Sequence, residues 1–115
     1  MCIRDSPNDN RTRLGLADAA ETLGLVWSGL GERSKAVAAL EEAVNVREEI
    51  VRAAPESPED QYELGRTYLT AGTAYAEMKQ CAESAKWLAK ARPIFESQKR
   101  KLSLARLEQA AVCPI

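Results

Sequence analysis

Residues 16–43 read LADAAETLGLVWSGLGERSKAVAALEEA, and residues 64–91 read LGRTYLTAGTAYAEMKQCAESAKWLAKA. Sliding the chain on itself by 48 residues (55 − 7) lays one stretch on the other without a gap. Pro7 then meets Pro55, Leu16 meets Leu64, Gly24 meets Gly72, Trp27 meets Tyr75, Leu40 meets Leu88, Ala43 meets Ala91 and Glu48 meets Glu96. A fixed period of this size marks stacked supersecondary units, each unable to bury its apolar face alone.

Within each unit the apolar residues recur at steps of three or four, the period of a helix. Leu16, Ala19, Ala20, Leu23, Trp27 and Leu30 predict one stripe, and Ala36, Leu40, Ala43, Arg47, Ile50 and Ala54 the next, with Gly29 and Gly31 between them. In the second unit the stripes are Leu64, Tyr68, Ala71, Tyr75 and Met78, then Cys81, Ala85, Leu88, Ala91 and Phe95. Between the units Ser57 can cap a helix, Pro58 suits its first position, and Glu59 and Asp60 complement its positive end. Asp9 and Asn10 are expected to start the first helix in the same way. Pro93 falls inside the last stripe, where its missing N–H and its ring predict a kink without a break. Ser103 is expected to cap a short closing helix carrying Leu104, Leu107, Ala110 and Ala111.

The predicted class is therefore all-α, with hairpins at residues 7–54 and 55–102 and a capping helix and tail at 103–115. An unrelated four-helix bundle is the alternative; it requires one central core, whereas stacked hairpins touch mainly their neighbours. Residues 1–6 differ from the rest: Met1-Cys2-Ile3-Arg4-Asp5-Ser6 resembles a frame translation of a transposon end used in sequencing libraries. They are read as a non-native, disordered scar, which makes the chain the C-terminal piece of something longer.

Composition narrows the function. The chain of 115 residues is 45% hydrophobic and 29% charged, the balance of a globular domain. A net charge of -1 supplies no field for nucleic acid or an anionic membrane. No apolar run approaches the roughly 18 to 20 residues that span a bilayer. Histidine is absent, which removes a His general base, Ser/His and Cys/His pairs and imidazole metal ligands. Cys2, Cys81 and Cys113 form no CxxC motif. The acid pairs Glu41-Glu42 and Glu48-Glu49 sit opposite the apolar stripe and read as a solvated face. Trp27 and Tyr75, at equivalent positions, read as core plugs. No catalytic residue, cofactor or metal site is expected, and the chain is read as a non-enzyme.

A disulfide between Cys81 and Cys113 is not expected. A helix from Cys81 to Arg100 runs out about 28 Å, and the ten residues from Ser103 to Cys113 return about 15 Å. That leaves a gap on the order of 13 Å, against the roughly 7 Å between Cα atoms that a bridge allows.

The spacing of Ala20, Leu23, Gly24, Trp27, Gly31, Ala36, Leu40 and Ala43 resembles the tetratricopeptide pattern. The second unit, with Tyr68, Ala71, Gly72, Tyr75, Lys79, Ser84, Leu88 and Ala91, fits more loosely, Lys79 standing where a turn glycine is usual and Ser84 where alanine is usual. The resemblance runs from about residue 7 to about residue 102. It implies a right-handed solenoid fragment that binds proteins or peptides, or neighbouring repeats of its own parent chain, with self-association through the first hairpin as a further outcome. The period exceeds the usual repeat of about 34 residues, so the helices are long; VREEIVRAAPESPED resembles the long repeats at the C-termini of bacterial signalling proteins, including serine/threonine kinases. No kinase motif is present in the chain.

By family position the first helices line a groove with Asp18, Glu21, Leu25 and Ser28, then Arg66, Leu69, Thr73 and Glu77. A carboxylate clamp for chaperone tails needs Lys and Asn where this chain has Glu21 and Leu25, so that ligand is excluded. An amphipathic helix or a neighbouring repeat on Leu25 and Leu69 is the implied occupant. The alternative function is a structural end cap of a longer array. Exposure along the groove favours interaction, and exposure on the outer side of the first hairpin favours the array. The expected compartment is the cytoplasm, the alternative an extracytoplasmic domain of a membrane-anchored parent.

Overall fold

The computed structural model describes residues 10–111 and Cys113. Five helices follow in order: α1 (Asn10–Gly29), α2 (Arg33–Ala53), α3 (Pro58–Glu77), α4 (Cys81–Ser97) and α5 (Lys101–Ala110). The chain is all-α, and α1 pairs with α2 and α3 with α4. Hairpin 1 reaches hairpin 2 mainly through α2 on α3, with α1 also touching α3, and α5 rests on α4 and α3. Contacts thus run between neighbours, as stacking requires and a single four-helix core does not. The narrowest dimension, 18 Å, is the depth of two helix layers about 10 Å apart.

The same close approach builds both hairpins. A Cβ added to Gly24 would lie 2.6 Å from Leu40 Cδ2, and one added to Gly72 2.5 Å from Leu88 Cδ2. The two glycine–leucine pairs are the same pair one period apart, so the repeat seen in the letters is a repeat of packing. Three of the four turns also share one form. The N–H of Glu32 donates to the Trp27 carbonyl, that of Gln80 to Tyr75 and that of Arg100 to Phe95, each at 2.9 Å. The preceding residue is left-handed in each case, Gly31 (φ 79), Lys79 (φ 63) and Lys99 (φ 55). This is the Schellman close of a helix, which wants glycine at that residue. Lys79 accepts the strained conformation, so the second turn keeps its shape without the usual glycine.

The start of α3 follows the expected chemistry: Pro58 opens the helix, and the Asp60 N–H donates to Ser57 Oγ at 3.2 Å. α1 begins at Asn10; Asp9 and residues 1–6 lie outside the described residues. Helix α4 continues through Pro93 to Ser97. Ser103 is no cap. The helix starts at Lys101 behind Arg100, without a side-chain cap, and Ser103 is buried inside it, because the tight turn at 98–100 feeds directly into the next helix.

The expected stripes of α2 and α3 are buried except for Ala54, which is half-buried after the end of α2, and Val44, Thr67, Ala74 and Ala76 are buried beside them. In α4, Ser84 and Trp87 are buried and Ala85 is exposed. Trp87 stacks between Tyr68 and Tyr75, with ring centroids 5.9 and 6.4 Å away. Tyr75 is a core plug; Trp27 is only half-buried, with Lys35 Nζ 4.5 Å from its ring centre.

Two expectations fail. In α1 the buried residues are Ala17, Ala20, Glu21, Gly24 and Ser28, whereas Leu16, Ala19, Leu23 and Leu30 face outward. The small residues are chosen by the close approach to α2, so the larger apolar side chains are left on the opposite side. The second failure is the disulfide: Cys81 and Cys113 are bridged, with Cα atoms 5.7 Å apart. Helix α4 stops at Ser97, shortening the outward run by about 4–5 Å. Helix α5 starts two residues early, lengthening the return by about 3 Å. Cys113 lies beyond the helix, and non-helical residues advance at up to about 3.3 Å each, which supplies the remaining 6 Å or so.

Candidate functional site

The eight expected groove residues do not form one surface. Asp18 is exposed, and its Oδ1 accepts from Arg47 Nη2 at 2.7 Å. Glu21 is buried between the hairpins: Oε1 accepts from Thr67 Oγ1 at 3.0 Å, Oε2 accepts from Thr70 Oγ1 at 3.1 Å, and Arg66 Nη1 stands 3.7 Å away. Arg66 Nε also donates to Glu63 Oε1 at 3.0 Å. Burial opposes the Arg66 charge, but the bond to Glu63 and the fields of Glu21 and Glu63 outweigh it and raise its pKa. Glu21 and Arg66 therefore bolt α1 to α3 and are not free to meet a ligand.

Arg47 completes the bolt from α2. Its side chain is buried, with Glu63 Oε1 4.0 Å away in addition to Asp18. Its place in the apolar stripe signalled burial, but nothing in the sequence named its partner. Removing one member of such a buried ionic set strands the others, while the intact set favours one register of stacking over another. Glu48 adds a second tie: it is not part of the solvated acid face, because Oε2 accepts from the Tyr68 hydroxyl at 2.7 Å. Burial and this bond push the Tyr68 pKa up.

The other half of the groove is partly occupied. Leu69 is half-buried, Thr73 Oγ1 donates to the Leu69 carbonyl at 2.9 Å, and both border a cleft whose far side is Arg106, Gln109 and Ala110 of α5. Ser28 is buried, and its Oγ has no hydrogen-bond partner among the described residues. Only Asp18, Leu25 and Glu77 of the eight are exposed.

The largest apolar exposure lies elsewhere. Leu16, Leu23, Val26 and Leu30 on α1 are 47, 49, 49 and 68% exposed, and Ala19 between them is exposed too. One period later Leu64, Thr67, Ala71, Ala74 and Met78 are 7, 1, 1, 0 and 7% exposed, because hairpin 1 covers them. The positions are equivalent, and only the neighbour differs. Among the described residues no helix is long and apolar enough to cross a membrane. A comparison with known proteins finds no matching family model, no similar curated protein and no similar solved structure.

Proposed function

We propose that the chain is a non-catalytic protein-interaction module of tetratricopeptide type, and that its contact surface is the outer face of α1 rather than the groove. The observation that carries this is the row Leu16, Ala19, Leu23, Val26 and Leu30, exposed where its counterpart in α3 is buried. An apolar row of this length is uncommon on a surface without a partner. The groove, with Glu21 consumed by Thr67 and Thr70 and Leu69 beside α5, offers less.

The test is a selection of displayed helical hairpins against the full chain. Binders are expected to be lost with a Leu23→Glu, Val26→Glu double variant and kept with Leu69→Glu. Recovery of no binder, or loss on the groove variant instead, overturns the reading.

The second reading, the end of a longer array in a signalling protein such as a bacterial serine/threonine kinase, is the one that apolar exposure on the outer side of the first hairpin is expected to favour, and the same equivalence supports it. Hairpin 1 covers α3, so a preceding hairpin would cover α1, while α5 closes the other end. Recovering the full reading frame decides it: a further unit one period upstream is expected, and unrelated sequence there refutes it. The Cys81–Cys113 bridge supports the extracytoplasmic alternative over the cytoplasm, since disulfides persist in oxidising compartments.

A further inference from the structure

Five of the exposed residues of α1, Leu16, Ala19, Leu23, Val26 and Leu30, follow one another at steps of three, four, three and four, the spacing of a seam on which a second helix lies, with exposed Leu25 beside them. Read from either end the seam is almost the same: Leu16, Ala19, Leu23, Val26, Leu30 forward, and Leu30, Val26, Leu23, Ala19, Leu16 in reverse. We propose that the occupant of this face is a second copy of the chain, its α1 antiparallel to the first across a two-fold axis at Leu23. This rests on the reading of α1 as the contact face and names the partner.

In that register residue i is level with residue 46 − i of the second copy: Leu16 meets its Leu30, Leu23 meets its own equivalent, and small Ala19, level with position 27, lies one residue away from large Val26. Small against large lets the layers interdigitate, and a two-fold contact requires a patch complementary to itself. Beside the seam lies a border of Gly15, Thr22 and Gly29, all exposed and centred on Thr22, one residue from the axis. A Cβ at Gly15 or Gly29 would meet nothing within 4 Å. Gly24 and Gly72 are glycine because a leucine lies against them, but no contact among the described residues requires glycine at Gly15, inside a helix that it weakens. A neighbouring helix at close range supplies the missing reason. Asp18, exposed between Gly15 and Thr22, is the charge nearest this border, and it is paired with Arg47 within its own copy.

From Leu16 to Leu30 the seam is only about 21 Å long, so the dimer is small and weak, with a dissociation constant on the order of micromolar. Sedimentation equilibrium of the full chain from low micromolar to near millimolar is expected to show monomer and dimer in exchange. Leu23→Glu, which sets two carboxylates against each other at the axis, is expected to leave only monomer at unchanged helix content, and Leu102→Glu, on the exposed part of α5, to leave the dimer intact. In a Cys2→Ser background, Leu23→Cys is expected to link to itself with a short bis-maleimide. Leu30→Cys is expected to link to Leu16→Cys of a mixed partner and not to itself. A monomer at every concentration, a dimer that survives Leu23→Glu or is broken by Leu102→Glu, or self-linking of Leu30→Cys overturns the proposal. If the chain proves monomeric while selected hairpins still bind in a way that Leu23→Glu abolishes, the interaction module stands and the second copy falls.

Discussion

Hairpin 1 and hairpin 2 are two copies of one design in different surroundings. They share the glycine–leucine contact, the turn geometry and the helix order, yet hairpin 2 is covered on one side by hairpin 1 and on the other by α5, while the outer side of hairpin 1 is bare. Their sequences record the difference. Facing a neighbour, α3 carries Ala71 and Ala74 where α1 carries Leu23 and Val26, and it adds Thr67 and Thr70 to hold the Glu21 carboxylate. A covered face must match one particular partner in volume and hydrogen bonds. Hairpin 2 also owns the disulfide, which ties the start of α4 to the residues after α5.

The largest expected contrast comes from removing that tie. The bridge spans a sequence separation of 32, and a closed loop of this length restricts the unfolded chain by about 3–4 kcal/mol. Cys81→Ser is therefore expected to lower denaturant stability by about that amount, and hydrogen exchange is expected to rise first in α5 and the start of α4. Equal loosening of α1 and α2 would show that the hairpins are not separable in this way.

Leucine truncation at equivalent positions sharpens the comparison. Leu64→Ala removes a buried side chain and is expected to cost about 3 kcal/mol, while Leu16→Ala on the exposed row stays within about 0.5 kcal/mol in dilute solution. Chemical denaturation of the two variants, measured below the concentration of any dimer, checks this; similar losses would mean that α1 is covered.

Next in size is the bolt between the hairpins. Glu21→Ala leaves the Thr67 and Thr70 hydroxyls without their acceptor and Arg66 with Glu63 alone, at an expected cost of about 1–3 kcal/mol. The equivalent change in hairpin 2, Leu69→Ala, touches no such network. If the stacking bolt matters as argued, Glu21→Ala broadens or splits the thermal transition and Leu69→Ala does not.

Much of this architecture was legible in the letters, and the misses have one cause. The period, most of the α2 and α3 stripes, the Ser57–Pro58 start and the turns inside the two hairpins were readable because they depend on local spacing, whereas the turn at 98–100 was misplaced. The outward turn of α1 was not, because Leu16, Leu23 and Leu30 form as good a stripe as Ala17, Ala20 and Gly24, and only the proximity of Leu40 decides between them. Glu21 was placed in a groove by family position, although its partners lie in α3, 46 and 49 residues away. Trp87 carried no repeat equivalent to flag it. The disulfide was missed because helical rise was assumed to the last residue, and the few residues beyond α5 cover the missing distance.

The alkaline limit separates the hairpins as well, since both raised tyrosines, Tyr68 and Tyr75, lie on α3. Burial is the first cause for each; Glu48 adds to it at Tyr68, Glu41 and Glu83 at Tyr75. A phenol whose folded pKa is raised contributes its stability in full below the ordinary value near 10, and that contribution is lost as pH rises above it, because the unfolded chain ionises first. Unfolding followed from neutral pH upward is expected to show this loss, reduced in Tyr68→Phe. A pH profile identical to that of the parent would show that Tyr68 is not held neutral by its site.

The smallest expected effect isolates the turns. Gly31 and Lys79 occupy the same place in the same Schellman close, at φ 79 and 63, but only glycine reaches that region without crowding its Cβ against the following carbonyl. The left-handed conformation costs an ordinary residue about 1–2 kcal/mol. Lys79→Gly is therefore expected to stabilise the chain by about 0.5–1 kcal/mol after the greater freedom of glycine in the unfolded state is subtracted. Gly31→Ala, the reverse change in hairpin 1, is expected to destabilise by about 1 kcal/mol. Lys79 is exposed, so the gain comes from the backbone rather than from a lost side-chain contact, and a Lys79→Ala control, which keeps the Cβ, is expected to show none of it. Equal stabilisation by Gly and Ala would place the effect in the lysine side chain and would end the argument that the two turns differ only in what their left-handed residue costs.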